Sequence, residues 1–311
     1  MRPKLDIQHL QMLATIAQTG SVTRAAEEIG LSQSALTHRI REAERRLGLK
    51  LYSREGKRLR MTPAAERIYH SAVRVFEEME RAERDAIEMG KGVEHVLRLG
   101  LGSYTRYHWL PTFLKVLGES SPECQIEVVA PAIRRPLGML IDGSIDIAIV
   151  PGRHPDHALE WIHLFQDELV AVTPPTHPIS RLEFVEAEAF RDEVYITYSL
   201  TPESGFERER FMEPAKIFPR RTLKVELPDA ILELVRAGMG VSILSRWALQ
   251  PDVIAGTLAC TRVTRQGLDI DWFAVVRKSD DERSPARLLA RTLATWCSTP
   301  QGGFRTVGSP R

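Results

Sequence analysis

Residues 20–54 read Gly20-Ser21-Val22-Thr23-Arg24-Ala25-Ala26-Glu27-Glu28-Ile29-Gly30-Leu31-Ser32-Gln33-Ser34-Ala35-Leu36-Thr37-His38-Arg39-Ile40-Arg41-Glu42-Ala43-Glu44-Arg45-Arg46-Leu47-Gly48-Leu49-Lys50-Leu51-Tyr52-Ser53-Arg54. Ser21 is a helix cap, and Ala25, Ala26 and Ile29 form the apolar side of a short helix over 22–29. Gly30 suits a turn that needs a left-handed backbone. Ser32 caps a second helix that runs to about Leu47 and ends at Gly48. Leu36, Ile40, Ala43 and Leu47 recur every three or four residues and define its buried face. The other face carries Gln33, Ser34, Thr37, His38, Arg41 and Arg45, with no acid among them. Two short helices joined by a glycine turn, the second rich in amide, hydroxyl and guanidinium groups, form a helix-turn-helix. Gln can bond adenine and Arg guanine in bidentate fashion.

Upstream, Ile7, Leu10, Leu13, Ala14 and Ala17 make the apolar stripe of a first helix, with Asp6 at its start. Downstream, apolar and basic residues alternate around Gly56, as in a small hairpin or wing. Arg54, Lys57, Arg58 and Arg60 are placed there for phosphate or minor-groove contact. Charge is segregated along the chain. Residues 1–60 hold 12 Lys and Arg against 6 Asp and Glu, and the remainder 30 against 35. A basic head on a mildly acidic body suits a polyanion at one end only.

The elements Gly20-Ser21-Val22-Thr23-x-Ala25-Ala26, Leu31-Ser32-Gln33-Ser34-Ala35-Leu36-Thr37 and Glu44-x-x-Leu47-Gly48-x-x-Leu51-Tyr52-x-Arg54 closely resemble the DNA-binding domain of LysR-type transcriptional regulators. Ala43 stands where that family usually has Leu, and Tyr52 where it usually has Phe. The DNA-contacting set is then Ser32, Gln33, Ser34, Thr37, His38, Arg41, Arg54, Lys57, Arg58 and Arg60.

Thr62-Pro63 starts a long helix that runs to about Met89. Ile68, Ala72, Val75, Met79, Ala82, Ala86 and Met89 are spaced 4, 3, 4, 3, 4, 3, the seam of a coiled coil. The family resemblance implies that such helices pair two subunits, whose heads then read two half-sites.

From Val96 onward strand and helix patterns alternate, which predicts an α/β body with mostly parallel sheets. Leu140-x-x-Gly143-x-Ile145-Asp146-Ile147-Ala148-Ile149 and Leu234-Val235-x-Ala237-Gly238-Met239-Gly240-Val241-Ser242-Ile243-Leu244 resemble the family's effector domain, which is built like a periplasmic binding protein. The expected organisation is α/β multidomain: a winged helix-turn-helix over 1–62, a linker helix over 63–91, and an effector-binding domain over 92–300. Within the last, subdomain 1 takes about 95–165 and 266–300, subdomain 2 about 166–265, and the tail 301–311 is expected to be disordered. Open α/β sheets bind ligands beyond the carboxyl ends of their strands. Those positions are Ser103, Tyr104, Thr105, Ala130 and Pro131 in one half, and Tyr198, Ser199, Thr201, Glu226 and Asp229 in the other. Hydroxyls there suit a carboxylate, and Glu226 or Asp229 an ammonium; a plain helix cap is the alternative for Asp229. Tyr107-His108-Trp109-Leu110-Pro111 and Arg236-Ala237-Gly238-Met239-Gly240 with Ser245-Arg246-Trp247 are similar to the family's methionine-biosynthesis regulators, which implies homocysteine, or another amino acid or carboxylate, as effector.

The sequence holds no HExxH, GxSxG, GxxxxGK[ST] or strand-linked GxGxxG, so no enzyme is expected. His154, His157 and His163 read as a solvated loop without the ligands of a metal site, Cys124 as an inert thiol, and no cofactor is expected. No apolar run approaches the ~20 residues of a membrane span. With no secretory signal at the start, the expected place is the cytoplasm. The expected partners are operator DNA, a small effector, a second copy or three more, and, in principle, RNA polymerase. The alternatives are a ligand-binding or enzymatic module that keeps the head for oligomerisation, and a DNA-binding protein that answers to no ligand.

Overall fold

The computed structural model describes residues 3–55, 58–102, 106–154, 156–198 and 206–299. The chain divides into two compact units, 1–91 and 92–311. The expected sites at Lys57, Ser103, Tyr104, Thr105, Ser199 and Thr201, and the tail 301–311, lie outside the described residues.

The first unit holds α1 (Ile7–Thr19), α2 (Val22–Glu28), α3 (Gln33–Leu47), the hairpin β1 (Tyr52–Glu55) and β2 (Arg58–Met61), and α4 (Pro63–Met89). Its caps are those the sequence offers. The Ser21 hydroxyl accepts from the Arg24 N–H, Ser32 from Ala35 and Thr62 from Ala65. Gly20 and Gly48, at φ 66° and 77°, close α1 and α3 in the left-handed region that glycine enters without a Cβ clash. Leu36, Ile40 and Ala43 of α3 are buried with Met12, Leu13, Ile16, Ala25, Ala26, Leu51, Tyr52 and Ala65. The buried stripe of α1 is not the expected one: His9, Met12, Leu13 and Ile16 face inward, and Ile7 is exposed. This helix carries apolar residues on more than one face, so periodicity alone left the choice open. A capping box decides the fate of His9, whose Nδ1 lies 2.6 Å from the Asp6 carboxylate.

The second unit contains β3 (His95–Leu101), α5 (Leu110–Ser120), β4 (Cys124–Val128), α6 (Pro136–Ile141), β5 (Ile147–Pro151), β6 (Leu159–Thr173), β7 (Phe184–Val185) and β8 (Val194–Thr197). A π-helical turn (Arg208–Met212) leads into α7 (Glu213–Ala215), then β9 (Arg221–Lys224), α8 (Pro228–Arg236), β10 (Ser242–Ser245), α9 (Gln250–Ile254), β11 (Ala259–Val263), β12 (Asp269–Arg277) and α10 (Pro285–Cys297). Among the described residues, one sheet runs β4-β3-β5-β12-β6-β11-β7, with β10 also on β6. The long β6 joins two halves. Leu159–Glu168 pairs with β12, and Leu169–Thr173 with β10 and β11. β8 and β9 pair with each other, and a bridge from Tyr195 to Val241 carries them onto the second half.

The sheets are mixed rather than mostly parallel. Parallel pairs are β3 with β4 and β5, β11 with β7, and β8 with β9. β12 and β6 pair antiparallel with each other, β12 likewise with β5, and β6 with β10 and β11. The reason is that β6 is a return strand continuous through both halves, and β12 runs back beside its first part. The histidine-rich stretch read as a loop is in part strand: His163 lies in β6, and its ring meets the Asp271 carboxylate across the pair at 3.1 Å. No group of His, Cys, Asp and Glu among the described residues could hold a metal ion. No described helix is long and apolar enough to cross a membrane.

Candidate DNA-reading face and ligand cleft

The buried face of α3 turns its polar face outward. Gln33, Ser34, His38 and Arg41 are exposed and Thr37 is half-buried. Three hydroxyls are engaged locally: Thr37 Oγ1 donates to the Gln33 carbonyl at 2.8 Å, and the Ser32 and Ser34 hydroxyls lie 3.0 Å apart. The Gln33, His38 and Arg41 side chains take no partner among the described residues, so their donors and acceptors stand open to a base edge. In the hairpin, Arg54 lies opposite Leu59, Glu55 opposite Arg58, and Ser53 opposite Arg60, whose side chain is exposed.

Glu44 was legible only as part of a motif, and the structure gives it work. Its buried carboxylate receives Lys50 Nζ at 2.7 Å and the Leu51 N–H at 3.0 Å, tying α3 to the hairpin. Burial alone would raise its pKa. The bonds from Lys50 and from the Leu51 and Tyr52 N–H groups outweigh that and hold the carboxyl below the usual range.

α4 spans 27 residues, about 40 Å at 1.5 Å per residue. Ile68 packs against the head's own core and Ala72 is buried. Val75, Met79, Ala82, Ala86 and Met89 are exposed, an apolar row left open along the rest of the helix.

In the second unit the ends of β3 and β5 border a cavity in the first half, and ion pairs run from beside it to the second half. A cavity of about 220 Å³ lies at the ends of β3 and β5, lined by Gly102, Ile133, Arg134, Arg135, Pro136, Leu137, Gly138, Val150, Pro151 and His154. Gly100 beneath it cannot be larger, because a Cβ would lie 2.4 Å from Ile145 Cδ1 and 2.8 Å from Ala132 Cβ. Ala130 and Pro131 are exposed on the turn that follows β4, and Tyr198 is packed on the core beyond β8. Glu226 and Asp229 are already held by arginines of the other half. Glu226 pairs with Arg134, and Asp229 with Arg106 Nε at 2.7 Å. Asp229 is not the cap of α8, whose N-cap is Leu227.

Arg106 also pairs with the buried Asp252, whose other oxygen takes Arg236 Nη2 at 2.7 Å. Sequence reasoning missed Arg106, Arg134, Asp252 and Arg236 as a group. The only local signal was position, since Arg106 and Arg134 directly follow expected ligand turns. His108 lies between this network and the Trp247 ring, 5.3 Å away. Burial, together with the Arg106 charge, lowers its pKa to about 4 against a partial pull from Asp252. The Cys124 and Cys260 thiols are pushed up by burial, Cys260 to about 12, so neither is a ready thiolate.

The comparisons agree with this geometry. Residues 7–66 match the model described as "Bacterial regulatory helix-turn-helix protein, lysR family", and residues 90–298 the "LysR substrate binding domain". The chain is 30% identical over 285 residues to the HTH-type transcriptional regulator MetR of Haemophilus influenzae, covering 91% of this chain and 92% of that protein. With MetR of Escherichia coli it shares 25% over 289 residues, covering 93% and 89%. The regulatory domain of MetR from N. meningitidis superposes with a TM-score of 0.56 at 25% identity, covering 67% of this chain and 97% of that one. Full-length CbnR complexed with its target DNA shares the fold, with a TM-score of 0.72 at 19% identity over 94% of this chain and 100% of that one. With a recognition helix, a wing and a two-part ligand cleft in one chain, the protein belongs to the LysR family of DNA-binding transcriptional regulators, which are not enzymes.

Proposed function

We propose that this regulator acts in the cytoplasm as a homodimer or homotetramer, binds an operator of two-fold character through paired heads, and answers to homocysteine or a closely related amino acid in the cleft. The observation that carries the DNA reading is the exposed row Gln33, His38 and Arg41 on α3, without side-chain partners among the described residues. Gln33 and Arg41 read base edges, while Arg54, Lys57, Arg58 and Arg60 serve the phosphates. The apolar row from Val75 to Met89 pairs α4 with its copy.

The cavity of about 220 Å³ is smaller than the roughly 300–1,000 Å³ of sites for drug-sized ligands, which favours a metabolite of few heavy atoms. The similarity to MetR proteins makes homocysteine the first candidate. The effector acts by binding one arrangement of the subunits better than another, and a contact with RNA polymerase gives that change its outlet. Footprinting on the DNA upstream of its own gene, with and without homocysteine, tests the reading. A protected region that changes in length or pattern with ligand supports it. Protection that never changes removes the effector, and no protection at low salt removes the operator-binding role.

A further inference from the structure

Arg134 lines the cavity, is largely exposed, and pairs with Glu226 of the other half. Its neighbour Arg135 also lines the cavity but is occupied locally, pairing at 3.0 Å with Asp142 at the end of α6. Of these two arginines, Arg134 is the one paired with a carboxylate from the opposite half. That carboxylate has a second cation on its own side: Lys224 Nζ lies 2.8 Å from Glu226 Oε1. If Arg134 turned to another anion, Glu226 would keep Lys224, so the exchange strands no charge. The other cross-cleft contact is of a different kind. Arg106 holds two carboxylates, and one of them, Asp252, is buried and shared with Arg236. Displacing Arg106 would leave a buried charge short of a partner, so that contact is a fixed clasp.

We propose that Arg134 is the anchor for the carboxylate of the effector, and that Glu226 is a built-in stand-in that the effector displaces. The inference rests on the reading that a small acid occupies the cleft. An arginine fork can take an incoming carboxylate in bidentate fashion, whereas Glu226 gives Arg134 one oxygen and Lys224 the other. The ligand therefore gains an ion pair at the expense of one that joins the two halves, and the cleft's cross-link changes as it binds. A ligand without a carboxylate has nothing to offer Arg134, so the anchor also sets specificity. The hydrogen bond from Lys224 and the charge of Arg134 hold the Glu226 carboxyl below the usual range, with Lys224 the stronger influence, so the stand-in is ionised at neutral pH.

Calorimetric titration of the full-length protein tests this with homocysteine and with 3-aminopropane-1-thiol, its counterpart lacking the carboxylate. Three proteins are compared: wild type, Glu226→Gln and Arg134→Gln. Both residues are at the surface, and matching thermal melts verify that the variants fold. Glu226→Gln should bind homocysteine several-fold more tightly, because the stand-in no longer competes. Arg134→Gln should lose about tenfold or more in affinity, the usual scale for a hydrogen bond to a charged group. The carboxylate-free thiol should bind none of the three. Equal homocysteine affinity in all three overturns the anchor and leaves the effector reading standing. Absence of binding even to Glu226→Gln, whose arginine is unopposed, overturns both. Binding of 3-aminopropane-1-thiol as tight as homocysteine also overturns the anchor.

Discussion

Glu44 and His108 each have a chemistry set by their burial and by the charged and hydrogen-bonding groups packed beside them. The Glu44 carboxylate satisfies the buried N–H of Leu51 and takes the Lys50 ammonium. Glu44→Ala leaves that N–H without an acceptor and should destabilise the head by about 1–3 kcal/mol. Urea unfolding followed by far-UV circular dichroism reads it, and an unchanged midpoint would remove the carboxylate from the account of how α3 holds the hairpin. His108 works through pH. Its folded pKa is about 4 against an ordinary 6.5, so between those values the unfolded chain binds a proton that the folded chain refuses. Its contribution to stability is therefore complete above about 6.5 and is lost as pH falls toward 4. His108→Asn should flatten the decline of unfolding free energy across that window, with Trp247 fluorescence as the reporter. Parallel declines in the two proteins would assign the acid sensitivity to other groups.

Among elements, α4 divides its seam between two duties. Ile68 and Ala72 are covered within the head, while Val75, Met79 and Met89 expose 39%, 44% and 51% of their surface. The half that is open is the half available to a partner helix. Val75→Glu with Met79→Glu should convert the protein to a monomer in analytical ultracentrifugation while its far-UV circular dichroism stays that of the folded chain, since neither side chain is in the core. A variant that stays dimeric would place the main contact elsewhere. The heptad spacing made this helix easy to read, and its start at Thr62-Pro63 is where the capping hydroxyl and proline put it. β6 was the opposite case. Only Leu169–Val172 looked like a strand, because the preceding residues mix Trp161, His163 and Gln166 into the run. They form a strand because β12 supplies a complete antiparallel ladder beside them. β11, with only five residues, was missed for the same reason: its partners, β6 and β7, are far from it in sequence.

At the scale of the whole molecule, the asymmetry of charge matches the two jobs. The net positive charge lies in the unit that carries α3 and the hairpin, with 17 Lys and Arg against 13 Asp and Glu, while the other unit holds 25 against 28. The cleft of the other unit is instead neutralised pair by pair, its arginines on one half facing carboxylates on the other. That pairing changes how Glu226 and Asp229 are understood. In the sequence they stood as free acids at strand ends, fit to receive an ammonium. In the fold each already has a guanidinium, so in this arrangement the cleft presents arginine rather than acid to a ligand.

The sequence by itself determined the helix-turn-helix, the polar face of α3, the linker helix and the alternation of strand and helix in the second unit. These features are local: caps, glycine turns and apolar spacing act within about ten residues, where the chain's own stereochemistry is the cause. Only the tertiary structure decided the mixed sheet, the burial of His9 and Glu44, and the ion pairs across the cleft. Those depend on which distant segments the chain brings side by side, and a charge, unlike an apolar stripe, carries no mark in the sequence of the partner that will neutralise it.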